Sequence, residues 1–432
     1  MKITVWNQLN EKQRQALLLR PAVADDERIR AGTQAIIDEV RSAGDAALRR
    51  LTARYDGAEL DDLRVSEAEI DAAGAALSAD EIDAIDVAIA NVRRFHEAQE
   101  PVTLRVETMP GVVCERVSHA LDAVGLYVPA GTAPLPSAAI MLAVPAAIAA
   151  CPTRILCTPP RPDGSADPAV LVASARAGVH DIFKVGGAQA IAAMAYGTET
   201  LPQVNKIFGP GNAWVTCAKS LVSADPDGAA IDLPAGPSEV LVIADADASA
   251  GFVAADLLSQ AEHGTDSQVV LVTTSTDLAE AVSQEVDRQL ESLSRQAIAA
   301  GALAHSRIIV VDDIAAAIAV SNAYAPEHLI LQIDEPRRAL SALRNAGSVF
   351  VGPWTPESVG DYCSGTNHVL PTYGFARTYS GLGLDQFMRQ MTIQELSREG
   401  LEGLAATVTC LAGLEGLDAH AAAVTRRLGS ST

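Results

Sequence analysis

The sequence predicts an α/β fold with two doubly wound, mostly parallel sheets. Short apolar runs alternate with alanine-rich helical stretches in two successive series, which is the pattern of repeated βαβ units. The first series includes runs at 123–128 and 206–208, and the second includes runs at 239–244 and 307–311. The composition agrees, since 49% of the residues are apolar but only 4% are aromatic, as in a helix-rich α/β enzyme.

The elements follow in order along the chain. The first hundred residues are charged and helical in pattern, notably Glu27–Tyr55 and 66–100. Further strands are expected at 155–157, 182–185, 269–273, 329–332 and 348–351, and helices at 249–262, 277–300 and 313–324. After Gly381 the pattern becomes helical again, so we expect a small helical C-terminal tail.

Length and charge limit the function of the chain. Because 432 residues exceed one ordinary core, two to four domains are expected. A formal net charge of −22 argues against nucleic acid or an anionic membrane as a partner. No secretory signal is visible, and the six cysteines show no framework spacing. These features favour reduced thiols and a cytoplasmic protein.

The segment 360–368 concentrates functional groups within a turn-forming sequence. Asp361, Cys363 and His368 lie among Gly, Ser, Thr and Asn, residues that build no hydrophobic core. The simplest interpretation is a local metal site formed by these three side chains. Distant residues could equally complete it, and the segment alone does not decide between the two.

Gln260 and His263 lie three residues apart near the end of the helix predicted at 249–262. Residues with this spacing share a helix face, so both side chains can reach one ligand. A polar helix terminus, where a histidine is favoured by the helix dipole, explains the pair as well.

Glu327 and His328 follow Pro326 at a bend before an apolar strand. An acid beside an imidazole could serve as a general acid and base, with each residue acting in a different step. A solvated glutamate and a packed histidine fit this sequence equally well.

Three glycine-containing junctions lie at 184–189, 209–212 and 232–239. Each could expose backbone N–H groups that suit a phosphate or carboxylate. None is a complete GxGxxG motif, so a dinucleotide site is weakly supported by these motifs alone, and tight α/β turns explain them almost as well.

Eight segments together resemble the histidinol dehydrogenase family. They follow the family order, cover most of the chain beyond the N-terminal helices, and form a highly specific set. They are GLYVPAGTAPLPS (125–137), KVGGAQAIAAMAYGT (184–198), KIFGPGNAWV (206–215), DLPAGPSEVLVIAD (232–245), LLSQAEHG (257–264), YAPEHL (324–329), GDYCSGTNHVLPT (360–372) and LEGLDAH (414–420). The chain departs from the family pattern at Ala130, where a second glycine is common. It also departs at Cys363, a position at which the family often has a small inert residue.

The resemblance implies the last step of histidine biosynthesis: oxidation of L-histidinol to L-histidine through histidinaldehyde, with two NAD⁺ and one Zn²⁺ per site. By matching positions, the implied acid–base residues are Glu327 and His328. The implied zinc ligands are Gln260, His263, Asp361 and His420. The implied substrate contacts are Ser137, Ser238, Gln260, His263, His328, Asp361, His368, Glu415 and His420, and the implied NAD contacts are Tyr127, Gln189 and Asn212.

The resemblance also implies a homodimer of subunits with two incomplete Rossmann-like domains. We expect an N-terminal extension at 1–22, a first α/β domain at 23–126 and 239–380, an inserted NAD-side domain at 127–238, and a helical tail at 381–432. The family's tail reaches across the dimer, so Glu415 and His420 should serve the site of the partner subunit.

Two other classes stay open on the residues alone. Glu327 could activate a metal-bound water in a zinc hydrolase, or the site could belong to a metal-binding module without catalysis. The hydrolase is retained as an alternative because the sequence lacks a full dinucleotide motif. Zinc-dependent formation of NADH from histidinol would separate the three classes.

Overall fold

A computed structural model of the chain describes residues 1–20, 27–130, 134–234 and 236–429. Two of the motif segments are described only in part, because 131–133 (which include Gly131) and Ala235 lie outside the described residues. Within the described ranges, no helix has the length and apolar character needed to cross a membrane.

The strands and helices have the following bounds. The strands are β1 (Lys2–Val5), β2 (Leu104–Met109), β3 (Val112–Ala120), β4 (Ala123–Tyr127), β5 (Thr153–Thr158), β6 (Asp181–Lys184), β7 (Lys206–Phe208), β8 (Ala230–Ile231), β9 (Glu239–Ala244), β10 (Gln268–Thr273), β11 (Arg307–Val310), β12 (His328–Gln332), β13 (Ser348–Val351) and β14 (Met388–Leu396). The helices are α1 (Glu11–Leu17), α2 (Glu27–Tyr55), α3 (Glu67–Ala76), α4 (Ala79–Glu97), α5 (Pro136–Ile148), α6 (Pro168–Arg176), α7 (Gly187–Tyr196), α8 (Ala213–Ala224), α9 (Ala250–Ala261), α10 (Thr276–Leu290), α11 (Gln296–Leu303), α12 (Ile314–Tyr324), α13 (Pro336–Ala339), α14 (Glu357–Tyr362), α15 (Arg398–Glu415) and α16 (Asp418–Arg427).

A six-stranded parallel sheet has the order β1-β11-β10-β9-β12-β13. Strands β9, β10 and β12 are buried along their full length. Their apolar side chains face two separate cores, with Val240 in one and Leu241 in the other. Continuous apolar strands are expected where helices cover both faces of a parallel sheet.

A five-stranded parallel sheet has the order β6-β5-β4-β7-β8. Leu126 and Met141 belong to the core on one face, and Tyr127 and Ile191 belong to the core on the other. The fold class is therefore confirmed: the chain is α/β, with two parallel sheets whose faces are covered by helices.

Helices α2, α3 and α4 pack on the five-stranded sheet. Helix α2 contacts α7 and α8, α3 contacts α6, and α4 contacts α5, since their apolar faces join the two cores of that sheet. The domain division expected from the family resemblance instead groups 23–126 with 239–380. Similarly, β1 lies in the predicted extension 1–22 but pairs with β11 in the six-stranded sheet. The contacts of both segments thus differ from the predicted grouping, and the division into domains itself remains a prediction.

A three-stranded antiparallel sheet, β14-β3-β2, was not expected from the sequence. The tail at 381–432 was predicted to be helical, and this is wrong for β14 but correct for α15 and α16. Strand β14 pairs with β3 from Met388↔Ala120 to Leu396↔Val112. That partner is distant in the chain, so local periodicity could not identify the strand.

Two predicted helices are each divided in the structure. The region 66–100 forms α3 and α4, because Ser78 caps the second helix: its hydroxyl accepts from the N–H of Glu81, and Glu81 Oε2 accepts from the N–H of Ser78 at 2.8 Å. The region 277–300 contains α10 and the start of α11. The other predicted helices and strands lie within a few residues of elements in the structure.

A buried ion pair holds the turn that follows β7. Lys219 Nζ donates to Asp232 Oδ1 at 2.5 Å and to the carbonyl of Gly209 at 2.8 Å. Asp232 Oδ2 accepts from the N–H of Gly209 at 2.7 Å. Gly209 has a φ of 122°, and a Cβ there would lie 2.1 Å from the carbonyl oxygen of Tyr127. The turn 209–212 is therefore fixed by both charge and close backbone approach.

We expect Lys219→Met to lower the free energy of unfolding by about 3–5 kcal/mol, because it leaves the Asp232 carboxylate buried without its cation. Arg176→Met is the matched control, since its ion pair with Asp86 is exposed and should cost only about 0–1 kcal/mol. Urea denaturation of both variants measures the difference. Equal losses would show that burial of the Lys219 pair does not matter.

Candidate functional site

The predicted acid–base residues and three of the four predicted metal ligands meet at the amino-terminal edge of the six-stranded sheet. His328 opens β12, with Glu327 just before it, and β12 pairs with β9 in the register His328↔Val240. Helix α9 runs back toward this edge and brings Gln260 to it. Open α/β sheets usually bind ligands at the carboxyl edge. This site lies at the opposite edge.

The His328 imidazole is fixed by its two neighbours on opposite sides. Its Nδ1 lies 3.1 Å from the carbonyl oxygen of Glu239, and its Nε2 lies 3.5 Å from Asp361 Oδ1. A carbonyl can only accept, so Nδ1 donates. The Nε2 atom is buried and has no hydrogen-bond partner within the part of the chain that is described. Nε2 is therefore the nitrogen available for proton transfer.

Three carboxyl groups surround this imidazole, and we call Glu327, Glu357 and Asp361 the carboxyl cluster. Burial raises the pKa of Glu327 to about 8 and the pKa of Glu357 well above its usual value. Desolvation alone would lower the pKa of His328, but the carboxyl cluster outweighs it and raises the pKa to about 10. The cluster thus has an excess of acid that a further cation would balance.

Glu357 was missed by the sequence analysis. It lies in α14, and its side chain is buried, with Oε2 lacking a partner among the described residues. The helical spacing between Glu357 and Asp361 is i, i+4, which places both carboxyl groups on one face. Glu357 could have been identified from that spacing. The turn-forming composition from Gly360 onward predicts a loop instead, whereas Gly360–Tyr362 form the end of α14.

Gln260 connects the carboxyl cluster to β9. In the amide orientation that satisfies its neighbours, the nitrogen donates to Glu357 Oε1 and the oxygen accepts from the N–H of Glu239 at 3.2 Å. The same N–H donates to Glu327 Oε2 at 3.0 Å. The Gln260 oxygen could therefore bind a metal instead of this N–H. The N–H of Glu239 would still be satisfied, because it also donates to Glu327.

Asp361 and His263 both lie near His328. Burial would raise the pKa of Asp361, but the imidazole of His328, whose Nε2 lies 3.5 Å from Asp361 Oδ1, outweighs it and lowers the pKa. Desolvation lowers the pKa of His263, although part of this residue is open to solvent. Asp361 is thus favoured as a carboxylate and His263 as a neutral imidazole, the two forms that bind metals.

The local metal site suggested for Asp361, Cys363 and His368 is not formed. Among the described residues, no group of three His, Cys, Asp or Glu side chains is arranged to hold a metal ion. Cys363 is half-buried and packs against an apolar core, and its carbonyl accepts from Asn91 Nδ2 at 2.9 Å. A metal here would need an amide ligand or a ligand from another chain.

Two of the predicted substrate residues, Ser137 and Ser238, lie next to different sheets. Ser137 lies in the first turn of α5, and its backbone hydrogen-bonds the imidazole of His368. Burial lowers the pKa of His368, whose Nε2 is buried without a partner in the described chain. Ser238 directly precedes β9 and is half-buried. The structure thus brings Ser137 and His368 together, and places Ser238 beside the strand that holds His328.

The three predicted NAD residues lie at the carboxyl edge of the five-stranded sheet. Tyr127 ends β4, and its hydroxyl accepts from the N–H of Gly187 at 3.0 Å. Gln189 is buried in the first turn of α7. Asn212 caps α8, and its side chain accepts from the N–H of Trp214 at 3.1 Å. This is the usual ligand-binding edge of an open sheet.

Glu415 and His420 lie apart from the other site residues. Glu415 ends α15 and His420 lies in α16, and both are exposed. Helix α16 packs on α15. Within the described residues, His420 does not join His263 and Asp361 in a group that could hold a metal. The chain's own tail therefore leaves this candidate site without its fourth predicted ligand.

Comparisons with known proteins agree on one family. A family model described as histidinol dehydrogenase matches residues 19–428. A histidinol dehydrogenase from Vibrio vulnificus (strain YJ016) is 55% identical over 432 residues, covering 100% of this chain and 99% of the relative. One from Xanthomonas axonopodis pv. citri (strain 306) is 55% identical over 429 residues, covering 99% of each.

A solved structure agrees with these sequences. The crystal structure of histidinol dehydrogenase from Elizabethkingia anophelis matches with a TM-score of 0.96 at 44% identity, covering 100% of this chain and 98% of that chain. The fold and the sequence thus point to the same oxidoreductases, and the resemblance noted from eight segments is confirmed. The chain belongs to the histidinol dehydrogenase family.

Proposed function

We propose that this chain oxidises L-histidinol to L-histidine through histidinaldehyde, with two NAD⁺ and one Zn²⁺, at a cytoplasmic site completed by a partner subunit. Family membership makes the chain an oxidoreductase of histidinol, which removes the hydrolase and the non-catalytic alternatives. The observation that supports the mechanism best is the buried pair Glu327 and His328, with His328 Nε2 facing Asp361.

The described residues fit a zinc ion. Gln260, His263 and Asp361 provide oxygen and nitrogen ligands of the kinds that zinc accepts. The excess of acid in the carboxyl cluster also favours a divalent cation. When bound, zinc would orient the substrate and stabilise negative charge on its oxygen. His420 of the partner subunit would supply the fourth protein ligand.

His328 suits the first oxidation. As a hydride leaves the carbinol carbon for NAD⁺, the hydroxyl proton must pass to a base. Nε2 can accept it when the imidazole is neutral, because the carbonyl of Glu239 holds the other proton on Nδ1. The carboxyl cluster raises the pKa of His328, so this neutral form becomes more populated as the pH rises toward about 10. The products of this step are histidinaldehyde, NADH and the protonated His328.

Glu327 suits the second oxidation. The aldehyde must add water to become a diol before a second hydride can leave, and Glu327 can remove a proton from that water in its carboxylate form. Burial raises the pKa of Glu327 to about 8, so this form is favoured above that pH. Glu327 is buried, and its carboxyl is 3.6 Å from His328 Nδ1 and bonded to the N–H of Glu239. The second hydride reduces the second NAD⁺, and the resulting carboxylic acid loses its remaining proton to water, which leaves the carboxylate of L-histidine.

The proposed substrate contacts and the proposed NAD contacts are separate sets of residues. Ser137, Ser238 and His368 would hold the substrate, and Glu415 of the partner subunit would pair with its cationic end. Tyr127, Gln189 and Asn212 would contact NAD⁺ at the carboxyl edge of the five-stranded sheet. Burial of His328 and Glu327 limits access of bulk water and would protect the reactive aldehyde.

Removal of metal should abolish NADH formation from histidinol, and added Zn²⁺ should restore it. His263→Asn should weaken zinc binding by more than about 100-fold, since loss of even an outer-sphere partner costs 10–100-fold. His305→Asn, a histidine outside the site, is the control. Metal analysis and absorbance at the NADH band give the two readouts. Full zinc content in His263→Asn would contradict its ligand role.

The two half-reactions should respond to different substitutions. His328→Asn should slow histidinol oxidation, and Glu327→Gln should slow histidinaldehyde oxidation, each by roughly 10²–10⁴-fold. Single-turnover assays that start from the alcohol or from the aldehyde separate the two steps. Glu262→Gln, next to the site but outside the carboxyl cluster, serves as the control. Intact alcohol oxidation in His328→Asn would reverse the assignment.

A site shared between subunits should allow complementation. Homodimers of His420→Asn or of His263→Asn should both be inactive, because each site lacks a ligand. A mixed dimer should regain up to about half of the activity, since one of its two sites then has all four ligands. The measurement is activity after the two variants are unfolded, mixed and refolded. No recovery would indicate that each site is built within one chain.

A further inference from the structure

Arg20 contacts the catalytic strands from the N-terminal segment. Its Nε donates to Glu239 Oε2 at 2.5 Å and its Nη2 to Glu239 Oε1 at 2.8 Å, which is a two-point ion pair. Both side chains are at least nine-tenths buried. The guanidinium also lies over the ring of Tyr324, 3.9 Å from its centroid. None of these contacts was predicted from the sequence.

Glu239 in turn holds both proposed catalytic residues through its backbone. Its N–H donates to Glu327 Oε2 at 3.0 Å, and its carbonyl accepts from His328 Nδ1 at 3.1 Å. Its side-chain Oε1 accepts from the N–H of Glu327 at 3.2 Å. A shift of Glu239 would therefore move Glu327. It would also break the hydrogen bond that keeps a proton on Nδ1 of His328.

Arg20 also fixes the chain just before the catalytic pair. Its Nη2 donates to the carbonyls of Tyr324 at 2.9 Å and Ala325 at 3.1 Å. Ala325 ends α12 with a φ of 57°, a conformation that a residue other than glycine rarely adopts. The guanidinium thus connects the end of α12 to the start of β9, the two backbone segments between which Glu327 and His328 lie.

We propose that Arg20 is a positioning residue that sets the geometry of Glu327 and His328 through Glu239. This inference rests on the roles proposed for those two residues. A lysine could retain one contact with Glu239, but its ammonium lacks the planar fork that spans Glu239 and the two carbonyls. The rate should therefore depend on the guanidinium and not only on a positive charge.

Arg377 provides a matched control. It donates to the carbonyls of Ala323 and Tyr324 at the same helix end, and no contact joins it to Glu239 in the described structure. Arg20→Gln should lower kcat for histidinol by roughly 10- to 100-fold with a much smaller change in KM, as expected when reacting groups are misplaced. Arg377→Gln should change kcat by less than about twofold, and Arg20→Lys should fall between them.

Two further measurements separate positioning from folding. Millimolar guanidinium ion, below denaturing concentrations, should raise kcat of Arg20→Ala but not of Arg377→Ala. A crystal structure of Arg20→Lys or Arg20→Gln should show Glu327 moved from the N–H of Glu239, which tests the inference without any activity assay. Unmoved catalytic residues, or equal kcat in the Arg20 and Arg377 variants, would overturn it. If the wild-type enzyme forms no NADH from histidinol while Glu327 still moves, the proposed function fails and the positioning role stands.

Discussion

The parallel pairing of β9 with β12 is the interaction on which the candidate site depends. It places the backbone of Glu239 beside His328, so one peptide segment holds both the imidazole and the Glu327 carboxyl. Backbone groups in a buried sheet move little, because each is tied into a ladder of hydrogen bonds. The sheet thus holds the proposed acid and base rigidly. They lie at its amino-terminal edge, where ligands bind less often than at the carboxyl edge.

Charge balance is the second constraint on the site. Three carboxyl groups lie near one imidazole, and burial raises the pKa values of two of them, Glu327 and Glu357. Arg20 neutralises Glu239 but does not reach the carboxyl cluster of Glu327, Glu357 and Asp361. A buried set of this kind is costly without a cation. In the proposal, metal binding and chemistry are therefore linked, because both depend on balancing the charge of the same carboxyl groups.

Much of the fold could be predicted from local patterns, since βαβ alternation marks buried parallel strands such as β9 and β12. Strand β14 could not, because its conformation comes from a partner far along the chain. The chemistry of Glu327 and His328 was visible as an acid beside an imidazole. Arg20 was not, since its importance comes only from three-dimensional contacts. Glu357 could have been found only through its i, i+4 spacing from Asp361.

The separation of the two ligand edges has a consequence for the order of events. Glu327, His328 and the metal ligands proposed from this chain gather at the six-stranded sheet, and the proposed NAD residues gather at the five-stranded sheet. Under these roles, the side chains that bind each dinucleotide take no part in holding the intermediate. Spent NADH can then be exchanged for fresh NAD⁺ while the aldehyde stays in place. One set of catalytic groups could serve two successive oxidations without releasing what lies between them.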